Sequence, residues 1–379
     1  MTREGRVVFL TTGLGVGGAE TQIVRIAEQL RDRGWAVSIV SLTAINPKHQ
    51  GTFPERLAAR GVPVVSLGID GALSAVRGLY RLVVYLRREW PDVLVTFMVH
   101  ANLLGRVAAA AARVPRVISS VRSENFGGRW RYAALRVTDR LADATVTNSR
   151  RVAEGLIARG TVRPERMHIV PNGVATDEPP PDGEARLAMR RALGVPNEAF
   201  LWMAIGNLVD AKDYPTLLRA FARLQHAPGA SLLRIIGEGP LAPAVDALAR
   251  SLGLAARVEL VGFRSDASRL VHCCDAFVLS SKLEGMPNAL IEALLAARPC
   301  VATNVGGVPE LIQDGASGVV VPPGDADGLA AAMDSVARMP AEARRDLGAR
   351  GRARVVAELR LEHVVDQWER LLRLPTAPR

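Results

Sequence analysis

Two carboxylates, Glu284 and Glu292, are separated by seven residues within SSKLEGMPNALIEALLAARPCVATNVGGVPELI, Ser280 to Ile312. Pro287 suits the first turn of a helix, where its missing N–H costs nothing. Glu284 then lies in the loop before the helix and Glu292 about two turns later. The amides from Met286 through Pro287, Asn288 and Ala289 to Leu290 mark a helix N-terminus with a carboxylate on either side. Such an end can hold a diphosphate on its N–H groups while the carboxylates accept hydrogen bonds from sugar hydroxyls. Taken alone, two glutamates at this spacing are as well explained by surface charge.

A second candidate is the glycine loop TTGLGVGGAET, Thr11 to Thr21, in which Gly13, Gly15 and Gly18 spell G-x-G-x-x-G. A dinucleotide site needs an acidic residue about 20 positions on, at the end of the next strand. No Asp or Glu occurs between Asp32 and Glu55, and no arginine stands at the end of that strand, VSIVSLTAINP. The loop is better parsed two residues later, as GGAET. Bare backbone N–H groups feeding a helix N-terminus there suit a phosphate. Lys212, flanked by Asp210 and Asp213, reads by itself as a surface lysine. His100, just after a strand in FMVHANLLGR, reads as a ligand contact or a helix cap. Cys273, Cys274 and Cys300 have neither zinc nor disulfide spacing and read as small buried hydrophobes.

These residues are carried by alternating strand and helix signals. In the first half, apolar runs at Val7–Leu10, Val37–Leu42, Val62–Leu67, Val93–Phe97, Arg116–Ser119 and Ala144–Asn148 read as strands. Helical spacing falls at Glu20–Arg33, Pro54–Arg60, Leu73–Glu89, Asn102–Ala112 and Trp130–Leu141. Strands apolar throughout indicate a parallel sheet covered on both faces. Residues 176–197, with three consecutive prolines and a charged turn, break the pattern. The alternation restarts at Phe200–Ile205 and runs through strands at Ser231–Ile236, Val258–Leu260, Ala276–Leu279 and Cys300–Thr303. Helices are expected at Pro215–Leu224, Leu241–Leu252, Ser265–Cys273 and Pro287–Ala297, with a helical tail from Ala326 onward. Two such sheets facing one another imply a ligand cleft between them.

The 379 residues carry 48 Lys and Arg against 38 Asp and Glu, and the excess sits in one half. Residues 1–175 hold 25 basic and 13 acidic side chains; the remainder hold 23 and 25. An acidic partner for the first half follows: an anionic membrane surface, a phosphorylated acceptor or nucleic acid. The arginine-bearing segments Val76–Arg88 and Arg129–Arg140 suit anionic lipid, and equally an ordinary solvated helix face. No apolar stretch approaches the roughly 18 residues needed to span a bilayer. With no secretory leader visible, the expected location is the cytoplasm, at the inner membrane face where the basic half meets lipid.

EGMPNALIEA, then VATNVGGVPELI, then DGASGVVVPPGDADGLAAAM, in that order, resembles glycosyltransferase family 4, the retaining group 1 transferases of GT-B fold. The resemblance continues in GNLVDAKDYPTLLRAF, VELVGF, TVTNSRRVAEGL, IVPNGV and the opening GGAET, and so covers essentially the whole chain. It implies an α/β fold of two facing Rossmann-like domains: residues 1–175 on the acceptor side and 176–355 binding the nucleotide-sugar donor. A helix within 356–379 would pack back toward the first domain. It implies that Glu292 binds the donor ribose, Glu284 lies near the transferred sugar and Lys212 binds the diphosphate. Gly17 and Gly18 would approach the donor phosphate and sugar. Gly262 and Phe263 would meet the base, with Gly237 and Glu238 more loosely. Asn207 stands where the family usually has an arginine, so a phosphate cation is missing there, for which Arg264 or Arg122 is a substitute. Arg122 in VISSVRSEN itself replaces a histidine common in the family.

The implied reaction moves a sugar from a nucleotide sugar, UDP-linked first and GDP-linked next, to a glycan or lipid-linked acceptor. Neither a metal nor a cofactor is expected. The competing classes are a nucleic-acid-binding protein, an NAD oxidoreductase and a catalytically silent relative. At 4% aromatic residues, stacking recognition of nucleic acid lacks its usual side chains, and no nucleic-acid partner is expected.

Overall fold

The computed structural model describes residues 5–15, 17–45, 53–123, 126–176, 181–224 and 231–373. The chain divides into one unit of Met1–Gly173 with Leu361–Arg379, and a second of Val174–Arg360. Among the described residues no helix is long and apolar enough to cross a membrane. Pro179 and Pro180, Glu124 and Asn125, and the last six residues lie outside the described ones.

The first unit's strands are β1 (Arg6–Thr11), β2 (Ala36–Ser41), β3 (Val64–Ser66), β4 (Val93–Phe97), β5 (Arg116–Val121), β6 (Ala144–Thr147) and β7 (Met167–Ile169). They pair in parallel in the order β3-β2-β1-β4-β5-β6-β7. Helices α1 (Gly18–Asp32), α2 (Phe53–Ala59), α3 (Ala72–Glu89), α4 (Val99–Ala112), α5 (Arg129–Thr138) and α6 (Arg150–Ala158) make the connections. In β1 the period of two divides the core. Val7 and Phe9 pack with Ile23 and Leu30 of α1, whereas Val8 and Leu10 pack with Leu82 of α3 and Ala108 of α4.

The second unit's strands are β8 (Phe200–Ile205), β9 (Ser231–Ile236), β10 (Val258–Gly262), β11 (Ala276–Leu279), β12 (Cys300–Thr303) and β13 (Val319–Val321). They pair in parallel in the order β10-β9-β8-β11-β12-β13. Around them lie α7 (Gly183–Ala192), α8 (Tyr214–Ala222), α9 (Ala242–Ser251), α10 (Ala267–Leu270), α11 (Asn288–Leu295), α12 (Val308–Leu311), α13 (Ala326–Arg338) and α14 (Ala341–Glu358). The two parallel sheets expected from the alternation are present. The three cysteines are buried and unbridged; burial pushes the Cys273 thiol up to about 11 and holds those of Cys274 and Cys300 well above the ordinary thiol range.

Three local readings change. The charged turn within 176–197 is helix α7, opened by Asp182, whose side chain accepts from the Ala185 amide. Arg190 on α7 is fully buried and donates to Asp275 and to the carbonyls of Cys273 and Pro196. Helix α4 starts at Val99, not Asn102, so His100 lies in its first turn, exposed. The short strands β7 and β13 and helix α12 have no counterpart in the sequence reading, because runs of three or four residues carry too little periodicity; the nine-residue helix α6 is also missed.

The final helix, α15 (Leu361–Arg373), packs on α1. Its buried side chains Leu361, Val364, Val365, Trp368, Leu371 and Leu372 recur at helical spacing, and Trp368 stacks 5.9 Å from Phe97. The Glu369 carboxylate accepts from Trp35 (2.8 Å), Arg33 (2.8 Å) and Arg373 (2.9 Å). Burial raises its pKa, but these bonds and the Arg33 charge outweigh it and lower the value from 4.5 to about 2. A folded pKa below the unfolded one stabilises above the unfolded pKa, and the benefit is lost as pH falls through the folded one. Glu369→Gln is expected to lose up to about 3 kcal/mol at neutral pH and little near pH 2. Urea unfolding of both proteins at several pH values tests this; a difference that stays constant with pH would contradict it.

Candidate functional site

Successive strands of the second sheet run outward from β8 to β9 and β10, and the chain then returns to β11 on the other side. In an open parallel sheet that reversal leaves a crevice at the carboxyl ends of the two central strands. The segments after β8 and β11 are bound together there. Ser280 Oγ donates to the Lys212 carbonyl at 2.9 Å, and the Lys282 amide to the Ala211 carbonyl at 2.8 Å. Lys212 Nζ lies 2.5 Å from Glu284 Oε1, and Ser281 Oγ donates to the same oxygen at 2.6 Å. Both side chains are mostly buried, with 20% and 10% exposed.

Surrounding groups fix this pair. Lys212 ends a 3-10 turn, Asp210–Lys212, after which Asp213 adopts a left-handed conformation at φ 47°. Asp213 Oδ2 accepts from Thr216 Oγ1 at 2.8 Å, and Lys282 Nζ lies 3.2 Å from Asp210 and 3.5 Å from Asp213. The two aspartates flanking Lys212 are thus engaged by a different lysine. Thr303 Oγ1 donates to the Ser281 carbonyl at 2.7 Å. Tyr214 donates to the Gly206 carbonyl at 2.8 Å, and its phenol is held well above its ordinary range by burial and then by the Glu284 charge.

Two neighbouring loops close against these segments. The loop after β9 lies on the loop after β8, where the Leu208 amide donates to the Glu238 carbonyl at 2.9 Å. Gly237, at φ +148°, has the Gly206 carbonyl oxygen 2.1 Å from where a Cβ would stand. From β12, Gly307 N donates to the Gly285 carbonyl at 2.6 Å. Gly306, at φ +49°, would place a Cβ 2.2 Å from the Glu284 carbonyl oxygen. Glycine is required at these approaches because no side chain fits between backbones.

Helix α11 starts at Asn288, with Pro287 as its N-cap and no side chain capping it. Pro287 therefore precedes the helix instead of opening its first turn. Lacking an N–H, it donates nothing, and the first-turn amides are those of Asn288, Ala289 and Leu290. By helix geometry these have no acceptor within the helix, and the positive end of the helix dipole lies there. Met286 and Leu290 are buried and anchor this end, while Asn288, Ala289 and Glu292 are half-buried. Asn288 and Glu292, four apart, share one helix face.

The other predicted residues of this unit lie around the same strand ends. Asn207 is exposed in the loop after β8, its carbonyl accepting from the Val209 amide at 2.9 Å. Gly262 ends β10 at φ +82° and accepts from the Gly237 amide at 2.9 Å; Phe263, next to it, is half-buried. The Arg264 fork is taken up by Asp266, both bonds being 2.8 Å, so its role as a spare phosphate cation requires breaking a bidentate pair.

In the first unit, Gly17 caps α1 with extended backbone and Gly18 opens it. A Cβ on Gly17 would stand 2.4 Å from Glu20 Oε2, because the Glu20 side chain folds back over the helix start. Burial raises the Glu20 pKa, opposed by a backbone hydrogen bond. Arg122 follows β5, with its guanidinium 5.1 Å from the Phe97 ring centre and NH1 donating to Asn172 Oδ1 at 2.8 Å. Its Nε and NH2 are buried without a partner, and burial lowers its pKa to about 10. Sequence reading missed Ser281, Tyr214 and Gly306. Ser281 had one signal, its position three residues before Glu284, the spacing at which a hydroxyl and a carboxylate meet across a turn. Among the described residues no group of three or more His, Cys, Asp or Glu could hold a metal ion.

Residues 186–354 match the model described as glycosyl transferases group 1, and residues 16–178 that of glycosyltransferase family 4. A similar relative is the lipopolysaccharide core biosynthesis glycosyltransferase LpsE of Rhizobium meliloti, 29% identical over 94% of this chain and 96% of that protein. Another is the UDP-Gal:alpha-D-GlcNAc-diphosphoundecaprenol alpha-1,3-galactosyltransferase of Escherichia coli, 26% identical over 69% of each. In fold, the chain is similar to Anabaena HepE, solved in complex with UDP and glucose. That likeness has a TM-score of 0.84 at 22% identity, over 97% of this chain and 99% of that one. Sucrose-phosphate synthase of Thermosynechococcus elongatus is similar with a TM-score of 0.80 at 18% identity, over 98% of each.

Proposed function

Both halves being matched by glycosyltransferase models, the chain belongs to the group 1 glycosyltransferases, and on that premise we propose a nucleotide-sugar donor held by the second unit. The observation that carries this reading is the Lys212–Glu284 pair at the crevice between β8 and β11, supported by Ser281. The Lys212 ammonium has three donors, and one is used on Glu284, which leaves two for diphosphate oxygens. The first-turn amides of α11 supply further donors on a neighbouring segment, and Glu292 on its second turn suits the ribose hydroxyls. Gly262 and Phe263 at the end of β10 suit the base.

Cleaving the anomeric C–O bond builds negative charge on the leaving diphosphate, so cations and N–H dipoles fixed beside it lower the barrier. In the proposed retaining reaction the acceptor hydroxyl attacks from the face that the diphosphate leaves, and a phosphate oxygen takes its proton. Glu284 then orients the lysine and the sugar and forms no covalent bond. No step needs a metal. We take UDP-sugars as the first candidate donors and GDP-sugars as the next. The acceptor is a hydroxyl of a glycan or lipid-linked sugar in cell-envelope or exopolysaccharide assembly, met at the cytoplasmic face of the membrane. The name of the Rhizobium relative, a lipopolysaccharide core enzyme, supports that class. Screening UDP-, GDP- and ADP-sugars for thermal stabilisation, then following hydrolysis of the best binder, tests the reading. One nucleotide is expected to raise the melting temperature and to be turned over slowly; no stabilisation by any of them would overturn it.

A further inference from the structure

The first unit carries an apolar and basic surface that the transfer reaction does not use. Val76, Tyr80 and Val84 follow one another at four-residue spacing along α3 and are 74%, 70% and 46% exposed. Trp90, which caps the same helix in left-handed conformation, is 56% exposed. Helix α4 packs against both α3 and α5, and α5 exposes Trp130 and Val137 at 59% and 63%. Large side chains that far out of the core, recurring along two helices of one layer, are more than the scattered exposure that is normal on a protein surface.

Charge on these helices is one-sided. Together α3, α4 and α5 contain eight arginines, of which Arg106 is buried, and a single carboxylate, Glu89, at the last position of α3. Arg77 and Arg81 directly follow Val76 and Tyr80, and Arg88 continues the stripe one turn beyond Val84. Arg129, Arg136 and Arg140 are exposed beside Trp130 and Val137. Among the described residues Arg77, Arg88, Arg129 and Arg140 enter no ion pair. Aliphatic and aromatic side chains flanked by arginines match a bilayer interface, where the apolar groups enter the headgroup boundary and the cations meet anionic lipid. A nucleic acid is met by basic grooves with stacking aromatics, and has no counterpart for the valines here.

We propose that the face formed by α3 and α5, with α4 between them, is a docking surface for an anionic lipid bilayer. It goes beyond the transfer reaction and does not depend on which donor is used. A lipid surface of this kind would hold the enzyme where a membrane-anchored acceptor is presented.

Co-sedimentation of the full chain with vesicles tests it, using phosphatidylcholine alone or mixed in equal parts with phosphatidylglycerol. Binding is expected only with phosphatidylglycerol present and is expected to weaken with salt. Replacing Arg77, Arg81 and Arg88 together by Gln removes three cations, each worth roughly fivefold, and lowers vesicle affinity about a hundredfold. Val76→Asp with Tyr80→Asp is expected to abolish binding. Nucleotide-sugar stabilisation, measured on the same variants, is expected to stay unchanged, which separates this proposal from the transferase reading. No binding to either vesicle, equal binding to both, or undiminished binding in the two variants would each overturn it. So would a dimer in solution that the apolar variant dissociates, or equally tight binding of the same face to RNA.

Discussion

Replacing Lys212 with Ala is expected to lower kcat for sugar transfer by about 10²- to 10³-fold, the usual loss when one preorganised donor to a developing anion is removed. Position gives the lysine this effect. The ammonium is fixed by Glu284 at 2.5 Å, and Glu284 is fixed in turn by Ser281 at 2.6 Å. In the proposed reaction a cation held this way does not reorganise when charge grows on the leaving diphosphate, so its contribution rises from ground state to transition state. The loss should therefore fall more on kcat than on KM. Lys212→Arg should restore only part of it. A planar fork replaces a compact ammonium, and the lysine stem runs 3.0 Å from the place a Gly206 Cβ would take, which leaves little room. Glu284→Gln combined with Lys212→Ala should cost little more than Lys212→Ala alone, because the two act as one unit. Far-UV circular dichroism checks that each variant folds. Transfer within threefold of the parent enzyme would remove Lys212 from the reaction.

The second large effect is expected from Gly306→Ala. Its φ of +49° lies in the left-handed region, and the added Cβ would meet the carbonyl oxygens of Glu284 and Gly285 at 2.2 and 2.6 Å. Backbone atoms cannot rotate aside as a side-chain tip would, so the loop that holds Glu284 must move. The backbone conformation and the overpacking together cost about 3 kcal/mol. A shift of about 1 Å at Glu284 would lower transfer about a hundredfold by misplacing the pair. Gly315→Ala is the control. It also has a positive φ, +70°, but nothing lies within 4 Å of its added carbon. It should lose only about 1 kcal/mol and keep its activity. If the two variants melt and react alike, backbone contact at Gly306 is not what holds the site.

The repeating strand and helix signals made the two parallel sheets legible, since strands buried on both faces read as near-continuous apolar runs. The short elements were not, and α7 was hidden behind its prolines and charges. Its fully buried Arg190 shows why: a cation inside the fold is tolerable only because Asp275 and four carbonyls receive it, and two of those partners, Cys273 and Asp275, lie far along the chain. Cysteines 273, 274 and 300 were legible as core because their spacing offered no other chemistry.

At the site, the residue types available could be read directly: a lysine between two aspartates, two glutamates flanking a helix start, and glycines in several loops. They were readable because motif order and spacing are local. How they are partnered emerges in the folded chain. The lysine is paired with Glu284, 72 positions away, and not with its own aspartates, which turn to Lys282 and Thr216. The reason is physical. Asp213 is turned into a left-handed conformation, and the strand order β8-β11 brings two distant loops into contact. Partner choice in a parallel sheet is set by which strands become neighbours, and neighbouring residues in the chain have no part in that choice.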